Sequence, residues 1–403
     1  MAKLTLENLI ERNFINGKRI LVRVDFNVPL NENREITDDK RIVESLPTIK
    51  AIIENEGKCI LMSHLGRPKG EKNKKYSLDV VAQHLSKLLG QDVLFAEDCI
   101  SDNNIDLINS MKFGDVLLLE NLRFYKEEEK NDAEFAKKLS TFGDIYVNDA
   151  FGTAHRAHAS TEGITHYIQT CAAGYLMEKE LKYLYSAIEN PARPLVAILG
   201  GSKISGKIDV LENLLNIADT ILIGGGMMFT FYKALGYEIG KSVLEEDKIE
   251  LAKSIYEKAK TKNFLLPSDM MIAEKIESGA NTKIISADKF PIDLRDWVGV
   301  DIGEETIRKY RNEILKGATI IWNGPMGIFE INDFAKGTFE IAKALADATA
   351  KGAITIVGGG DSASAINKAN LSDKITHVST GGGASLELLE GKQLPGIVAL
   401  TDV

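Results

Sequence analysis

Pro194-Leu195-Val196-Ala197-Ile198-Leu199-Gly200-Gly201-Ser202-Lys203 is an apolar run of strand length that breaks abruptly into glycine. An uninterrupted Val/Ile/Leu run of this length suits a strand covered on both faces, as in a parallel sheet. The pattern recurs in both directions along the chain. Upstream it appears at Arg19–Val24, Lys58–Ser63, Asp115–Leu119 and Asp144–Val147; downstream at Thr220–Ile223, Thr319–Trp322 and Ala353–Val357. Between the runs, segments such as Ser77–Leu89 and Asp247–Lys260 repeat apolar residues at helical spacing.

Alternating strand and helix implies right-handed crossovers and doubly wound sheets. With 403 residues the chain is long enough for two domains. The fold class expected is α/β: two doubly wound parallel-sheet (Rossmann-like) domains joined by a hinge helix, with a cleft between them. The joining helix is expected from Ala172-Ala173-Gly174-Tyr175-Leu176-Met177 through Leu184, closed by Pro191 and Pro194.

Composition narrows the function. The net charge of −9 opposes a general nucleic-acid or anionic-membrane binder. No run approaches a membrane span, and the start lacks an apolar export segment. Cys59, Cys99 and Cys171 are far apart without a CxxC, so neither a disulfide framework nor a zinc site is expected. A cytoplasmic protein is the expectation.

Ligands of open α/β sheets bind beyond the carboxyl ends of the strands. In the first half those ends lead into Arg23-Val24-Asp25-Phe26-Asn27, His64-Leu65-Gly66-Arg67, Asn121-Leu122-Arg123 and His155-Arg156-Ala157-His158, with Arg41 close behind the first strand. Five arginines and three histidines on one edge of an acidic protein suit a small, multiply anionic ligand, because guanidinium forks match phosphate and carboxylate. Surface ion pairs are the plainer alternative.

In the second half the ends carry glycine: Gly200-Gly201-Ser202-Lys203, Gly224-Gly225-Gly226, Asn323-Gly324-Pro325-Met326-Gly327, Gly358-Gly359-Gly360-Asp361-Ser362 and Gly381-Gly382-Gly383. Glycine admits close backbone approach, and helix-start N–H groups can hold phosphate. This edge reads as a nucleotide site, although Asp361 or Ser362 could simply cap a helix. A Walker A loop fails, since Ile208 follows Lys207 where Ser or Thr is needed. GxGxxG fails at Phe229. A cationic lobe and a nucleotide lobe together suggest phosphoryl transfer. The alternatives are a non-catalytic two-lobed anionic-ligand binding protein and an NAD-type dehydrogenase.

The stretches Arg23–Pro29, His64–Pro68, Glu120–Phe124, Asp149–Ser160, Gly201–Lys207, Trp322–Glu330, Gly358–Ser362 and His377–Gly391 closely resemble the phosphoglycerate kinase family. That resemblance implies an N-terminal 3-phosphoglycerate-binding domain (1–172), a linking helix (173–190) and a nucleotide-binding domain (191–391), with residues 392–403 returning to the first. It implies that Arg23, Asp25, Phe26, Asn27, Arg41, His64, Leu65, Gly66, Arg67, Arg123, His155, Arg156 and His158 hold 3-phosphoglycerate or 1,3-bisphosphoglycerate, with His155 and His158 supporting the arginines. It implies that Gly201, Lys203, Lys207, Gly299, Asn323, Pro325, Glu330, Gly359, Gly360, Asp361 and Ser362 hold ATP or ADP. Glu330 would take the ribose hydroxyls and Asp361 would ligate Mg²⁺. Arg41, Lys203 and Gly381–Gly383 would act on the transferring group. A cytoplasmic monomer in glycolysis, without nucleic-acid or membrane partners, completes the expectation.

Overall fold

The apolar runs fold as parallel strands. The computed structural model describes residues 2–403. The chain falls into two units: the residues through Lys182 together with Gln393–Val403, and Tyr183–Lys392.

In the first unit the strands are β1 (Arg19–Arg23), β2 (Lys58–Met62), β3 (Val93–Ala96), β4 (Val116–Leu119), β5 (Ile145–Asn148) and β6 (Cys171–Ala173). They form one parallel sheet in the order β3-β4-β2-β1-β5-β6. β1 pairs with β2 on one side and β5 on the other, and every residue of β4 and β5 is buried. Helix Lys40–Glu54 turns Ile42, Ser45, Ile49 and Ile52 inward, the 3–4 spacing of a buried stripe. Helix Asp79–Leu89 stops at Gly90, whose left-handed φ of 70° favours a residue without a Cβ. Sequence order reverses between β1 and β5, so the switch point of this sheet lies at the ends of those two strands.

The first unit is completed by the end of the chain. The Leu4 amide bonds the Thr401 carbonyl at 2.8 Å, and the Thr401 amide bonds Cys171 O at 2.9 Å. Lys3 Nζ reaches the carbonyls of Leu400 (2.8 Å) and Val398 (3.0 Å) and pairs with Asp402 at 2.8 Å.

The second unit carries β7 (Leu195–Leu199), β8 (Thr220–Ile223) and β9 (Asn263–Leu265), then β10 (Asp269–Ala273), β11 (Thr282–Ser286) and β12 (Val298–Ile302), then β13 (Thr319–Asn323), β14 (Ile354–Gly358) and β15 (His377–Val378). Six of them make a parallel sheet, β15-β14-β13-β7-β8-β9, whose switch point lies between β7 and β13. The other three form a small antiparallel sheet, β11-β10-β12. Only its central strand β10 carries a short apolar run, Met270–Ala273; β11 is almost wholly exposed and β12 contains Gly299 and Asp301.

The joining segment differs from a uniform helix beginning at Ala172. Ala172 and Ala173 belong to β6, where they pair with Val147 and Asn148. The helix begins at Tyr175 after Gly174, runs to Glu180, passes through a π-helical turn at Leu181–Tyr185 and ends at Glu189. Alanine favours a helix locally, but pairing with β5 overrides that preference.

Candidate active site

Each switch point gathers a set of functional groups, and the two sets use different chemistry. At the first, β1 delivers Arg23 into the interior, where it is 1% exposed. Its Nε donates to Ser160 Oγ at 2.9 Å, its Nη2 lies 3.1 Å from His64 Nδ1, and its Nη1 donates to the Val24 carbonyl. Beyond the strand, Asp25 accepts from Arg41 Nη1 at 2.8 Å. Asn27 Oδ1 accepts from the Gly66 amide at 2.8 Å, tying the β1 end to the β2 end. Asn121, past β4, accepts from the Leu65 amide at 3.2 Å and donates to its carbonyl at 2.7 Å.

The arginines of this edge are graded in exposure. The Arg123 side chain is 5% exposed; Nη1 donates to Gly66 O at 3.0 Å and Nε lies 3.4 Å from Glu129. Its buried Nη2 bonds no described residue. Arg41 is half-buried, while Arg67 and Arg156 are exposed. Arg156 Nε donates to His155 Nε2 at 3.1 Å. Burial, reinforced by Arg23, Arg123, Arg41 and Arg156, holds the His64 imidazole well below its ordinary pKa. Burial and the same kind of cationic surroundings bring His158 down to about 4. Both rings are therefore neutral at pH 7, and the positive charge of the edge belongs to the guanidinium groups.

Phe26 is fully buried and Leu65 nearly so. Their side chains are core, and only their main chains belong to this edge. The Phe26 amide is already bonded to Ser63 Oγ at 2.9 Å. Arg23 likewise lies inside the unit with its donors engaged.

At the second switch point, the ends of β7, β8 and β13 cross so closely that side chains have no room. A Cβ at Gly200 or Gly324 would collide with the other loop's backbone. Beside this crossing lies a cavity of about 440 Å³, lined by Gly201, Met228, Phe229, Val243, Ile276, Val298, Gly299, Val300, Asp301, Pro325, Met326, Ile328, Glu330 and Asp361. Gly299 is required by its neighbour, since a Cβ there would strike the Phe229 ring. A second cavity of about 340 Å³ adjoins it through Gly201, Ser202, Pro325 and Asp361. Lys203, Lys207, Asn323, Gly359, Gly360, Ser362, Gly382 and Gly383 line this one. One part is apolar and slot-like, the other polar and rich in backbone.

Lys207 Nζ donates to Asn323 Oδ1, and Asn323 donates onward to Gly358 O at 3.0 Å. Burial lowers the Lys207 pKa, while Asp361 and Glu390 oppose the shift. The capping alternative for Asp361 and Ser362 is not what the helix uses. Gly359, at φ 90°, is the N-cap of helix Gly360–Lys368, and no side chain makes a capping bond. Ser362 Oγ instead accepts from the Gly324 amide at 2.6 Å, holding the β13 loop. Asp361 is exposed and lines both cavities. Gly381 is buried, with its amide bonded to Ser379 Oγ at 3.2 Å, and only Gly382 and Gly383 reach the cavity.

Sequence reading missed the apolar wall and Asp301. Met228, Phe229, Val298 and Met326 look like any core residues in a sequence. Asp301 is 1% exposed and accepts from the amides of Gly337 (2.6 Å) and Ile302 (2.9 Å). Gly327 and Gly337 pack against its carboxylate so closely that a Cβ at either would collide with it.

Comparison with known proteins agrees with this geometry. The sequence matches the family Phosphoglycerate kinase over residues 10–392. The phosphoglycerate kinase of Chlorobium chlorochromatii is 61% identical over the full length of both chains, and that of Chlorobaculum tepidum 59%. The solved phosphoglycerate kinase of Coxiella burnetii superimposes with a TM-score of 0.90 at 42% identity, covering 98% of each chain. That of Pyrococcus horikoshii gives 0.81 at 34% identity, again over 98% of each. Neither a non-catalytic binding protein nor an NAD-type dehydrogenase is favoured any longer. The chain belongs to the phosphoglycerate kinase family, phosphotransferases with a carboxyl group as acceptor.

Proposed function

We propose that the cationic edge of the first unit holds 3-phosphoglycerate or 1,3-bisphosphoglycerate, and that the glycine-lined edge of the second holds ATP or ADP. The observation that carries this reading is the division of chemistry between the two switch points. One offers guanidinium groups, including a buried Arg123 Nη2 without a partner among the described residues. The other offers an apolar slot continuous with a backbone-rich pocket bearing Lys207.

Arg67, Arg123, Arg156 and Arg41 would bind the anionic groups of the acceptor. Asp25 orients Arg41, and Asn27 fixes the loop that carries Arg67. The slot around Phe229 and Gly299 would take the base, Glu330 the ribose and Lys207 the phosphates. Exposed Asp361, beside Lys207 in the second cavity, fits a hard cation that takes most of its oxygens from phosphate and water. Mg²⁺ held there would neutralise charge on the nucleotide phosphates.

In the ATP-consuming direction the nucleophile is a carboxylate, already ionised at neutral pH, so no general base is needed. Catalysis is then positioning plus neutralisation of the moving phosphoryl group. Arg41 would contribute from the first unit, Lys203 and the backbone at Gly382 and Gly383 from the second. Contributions from both units make closure of the two upon each other a requirement for turnover, with the helical segment 175–189 as the hinge. A cytoplasmic monomer completes the reading, without nucleic-acid or membrane partners; no helix among the described residues is long and apolar enough to cross a membrane.

A coupled assay with 3-phosphoglycerate, ATP and Mg²⁺ tests the reaction. Omitting each component in turn should abolish the signal; turnover without 3-phosphoglycerate would overturn the assignment of substrate.

A further inference from the structure

A carboxylate lies behind the cationic edge and has no part in the roles above. Glu128 is 0% exposed, so no ligand can touch it. It accepts from Ser160 twice, from the hydroxyl at 2.6 Å and from the amide at 3.0 Å. Ser160 is held from its other side by the buried Tyr146, whose hydroxyl donates to the Ser160 carbonyl at 2.8 Å.

A serine hydroxyl has one proton, and here Glu128 takes it. The Ser160 oxygen therefore turns its lone pairs toward Arg23 Nε, 2.9 Å away. Arg23 lies within ion-pair distance of no carboxylate among the described residues, so Glu128 balances this buried guanidinium through the serine. At the far side of the same guanidinium, Nη2 stands 3.1 Å from His64 Nδ1. A guanidinium can only donate, so Nδ1 must present its lone pair. The ring is neutral, and its single proton is then on Nε2, which bonds no described residue.

We propose that Glu128 is a positioning residue for the phosphoglycerate site: through Ser160 and Arg23 it holds His64 in the tautomer whose Nε2–H is offered to the bound anion. The kinetic half of this proposal rests on reading the cationic edge as the phosphoglycerate site. The tautomer half does not, because it is a property of the ligand-free protein.

Two variants interrupt the chain at different links. Ser160→Ala removes the hydroxyl and keeps the Glu128 charge; Glu128→Gln removes the charge and keeps the hydroxyl. Nitrogen NMR of histidine-labelled full-length protein, with the His64 signal assigned by loss in His64→Gln, reads the tautomer directly. The wild type should show an unprotonated Nδ1 and a protonated Nε2. Both variants should show a mixture, with the KM for 3-phosphoglycerate raised about tenfold, as for loss of one oriented bond to an ion, and the KM for ATP unchanged. Lowered melting temperature with unchanged tautomer and unchanged KM would mean that Glu128 is only structural, and would overturn the proposal. A changed tautomer with unchanged KM would overturn it too, while leaving the phosphoryl-transfer reading intact. Should Glu128→Gln fail to fold, Ser160→Ala decides alone.

Discussion

On the function proposed above, the two switch points would hold a polyanionic ligand by opposite means. The first uses long side chains aimed from four strand ends, and its backbone mostly holds those side chains in place. The second uses the backbone itself, with side chains removed wherever loops cross. In the first, charged residues standing at apolar strand ends reveal the site. In the second, glycine reveals it only in part. Gly360 and Gly382 face open space, but Gly200 and Gly324 are glycine because two loops touch. Glycine at a strand end can serve the ligand or the fold, and only the three-dimensional neighbours distinguish the two.

The comparison breaks first at Arg41. Arg41→Ala should lower kcat by about 10²–10³-fold, as for loss of one donor to a developing charge. Its fold should survive, because the lost ion pair with Asp25 is half-exposed. Steady-state kinetics with circular dichroism checks both, and kcat at half the wild-type value would remove Arg41 from the reaction.

A smaller effect sharpens the division itself. Lys207→Ala should weaken ATP binding by about 10-fold or more, the scale of a charge-assisted bond, and leave 3-phosphoglycerate binding alone. Arg67→Ala should do the reverse. Calorimetric titration of each ligand separately checks this; equal losses in either variant would mean that the edges are not separate sites.

Asp361→Asn should raise the Mg²⁺ concentration needed for half-maximal activity several-fold, since a neutral amide is a poorer ligand for a hard cation. Because Gly359 is the cap, helix stability should not change. Unchanged activity at limiting Mg²⁺ would leave Asp361 with no ligand role.

The smallest effect concerns the carboxylate under the apolar slot. Burial pushes Asp301 up to about 7, against the opposing Gly337 and Ile302 amides and Lys336. Between the ordinary carboxyl range, about 4, and 7, the folded state keeps a proton that the unfolded state releases. Stability therefore falls as pH rises through that window. Asp149, raised to about 6 by burial, adds a slope of the same sign. Asp301→Asn should flatten the fall between pH 6 and 7, measured as urea midpoints across a buffer series. An identical slope in the variant would place the titration elsewhere.

Long apolar strands and the charged strand ends were legible because each is an outlier in its own neighbourhood. β6 was not, since Cys171–Ala173 is short and alanine-rich and reads as the start of the following helix. β15 has two residues and β11 is exposed, so neither carries an apolar run. Arg23, Arg41, Arg67, Arg123 and Arg156 were all legible as cations; their grading from buried to exposed was not, because the strand position alone does not reveal which guanidinium the core encloses. The apolar slot was invisible for the complementary reason: Phe229 and Val298 have the same composition whether they face a cavity or a core.

Lys3 bound to the carbonyls of Val398 and Leu400 has a consequence for biosynthesis. The unit begun first is completed last, because residues 393–403 leave the ribosome after all of 183–392. Until then Cys171 lacks Thr401, which bonds both its amide and its carbonyl, and that part of the β6 edge stays open although Leu4 already bonds Ala173. A chain halted at Lys392 should therefore exchange its Cys171 amide rapidly while the 183–392 unit is already protected, making the last eleven residues the latch that closes the part of the β6 edge that Leu4 does not cover.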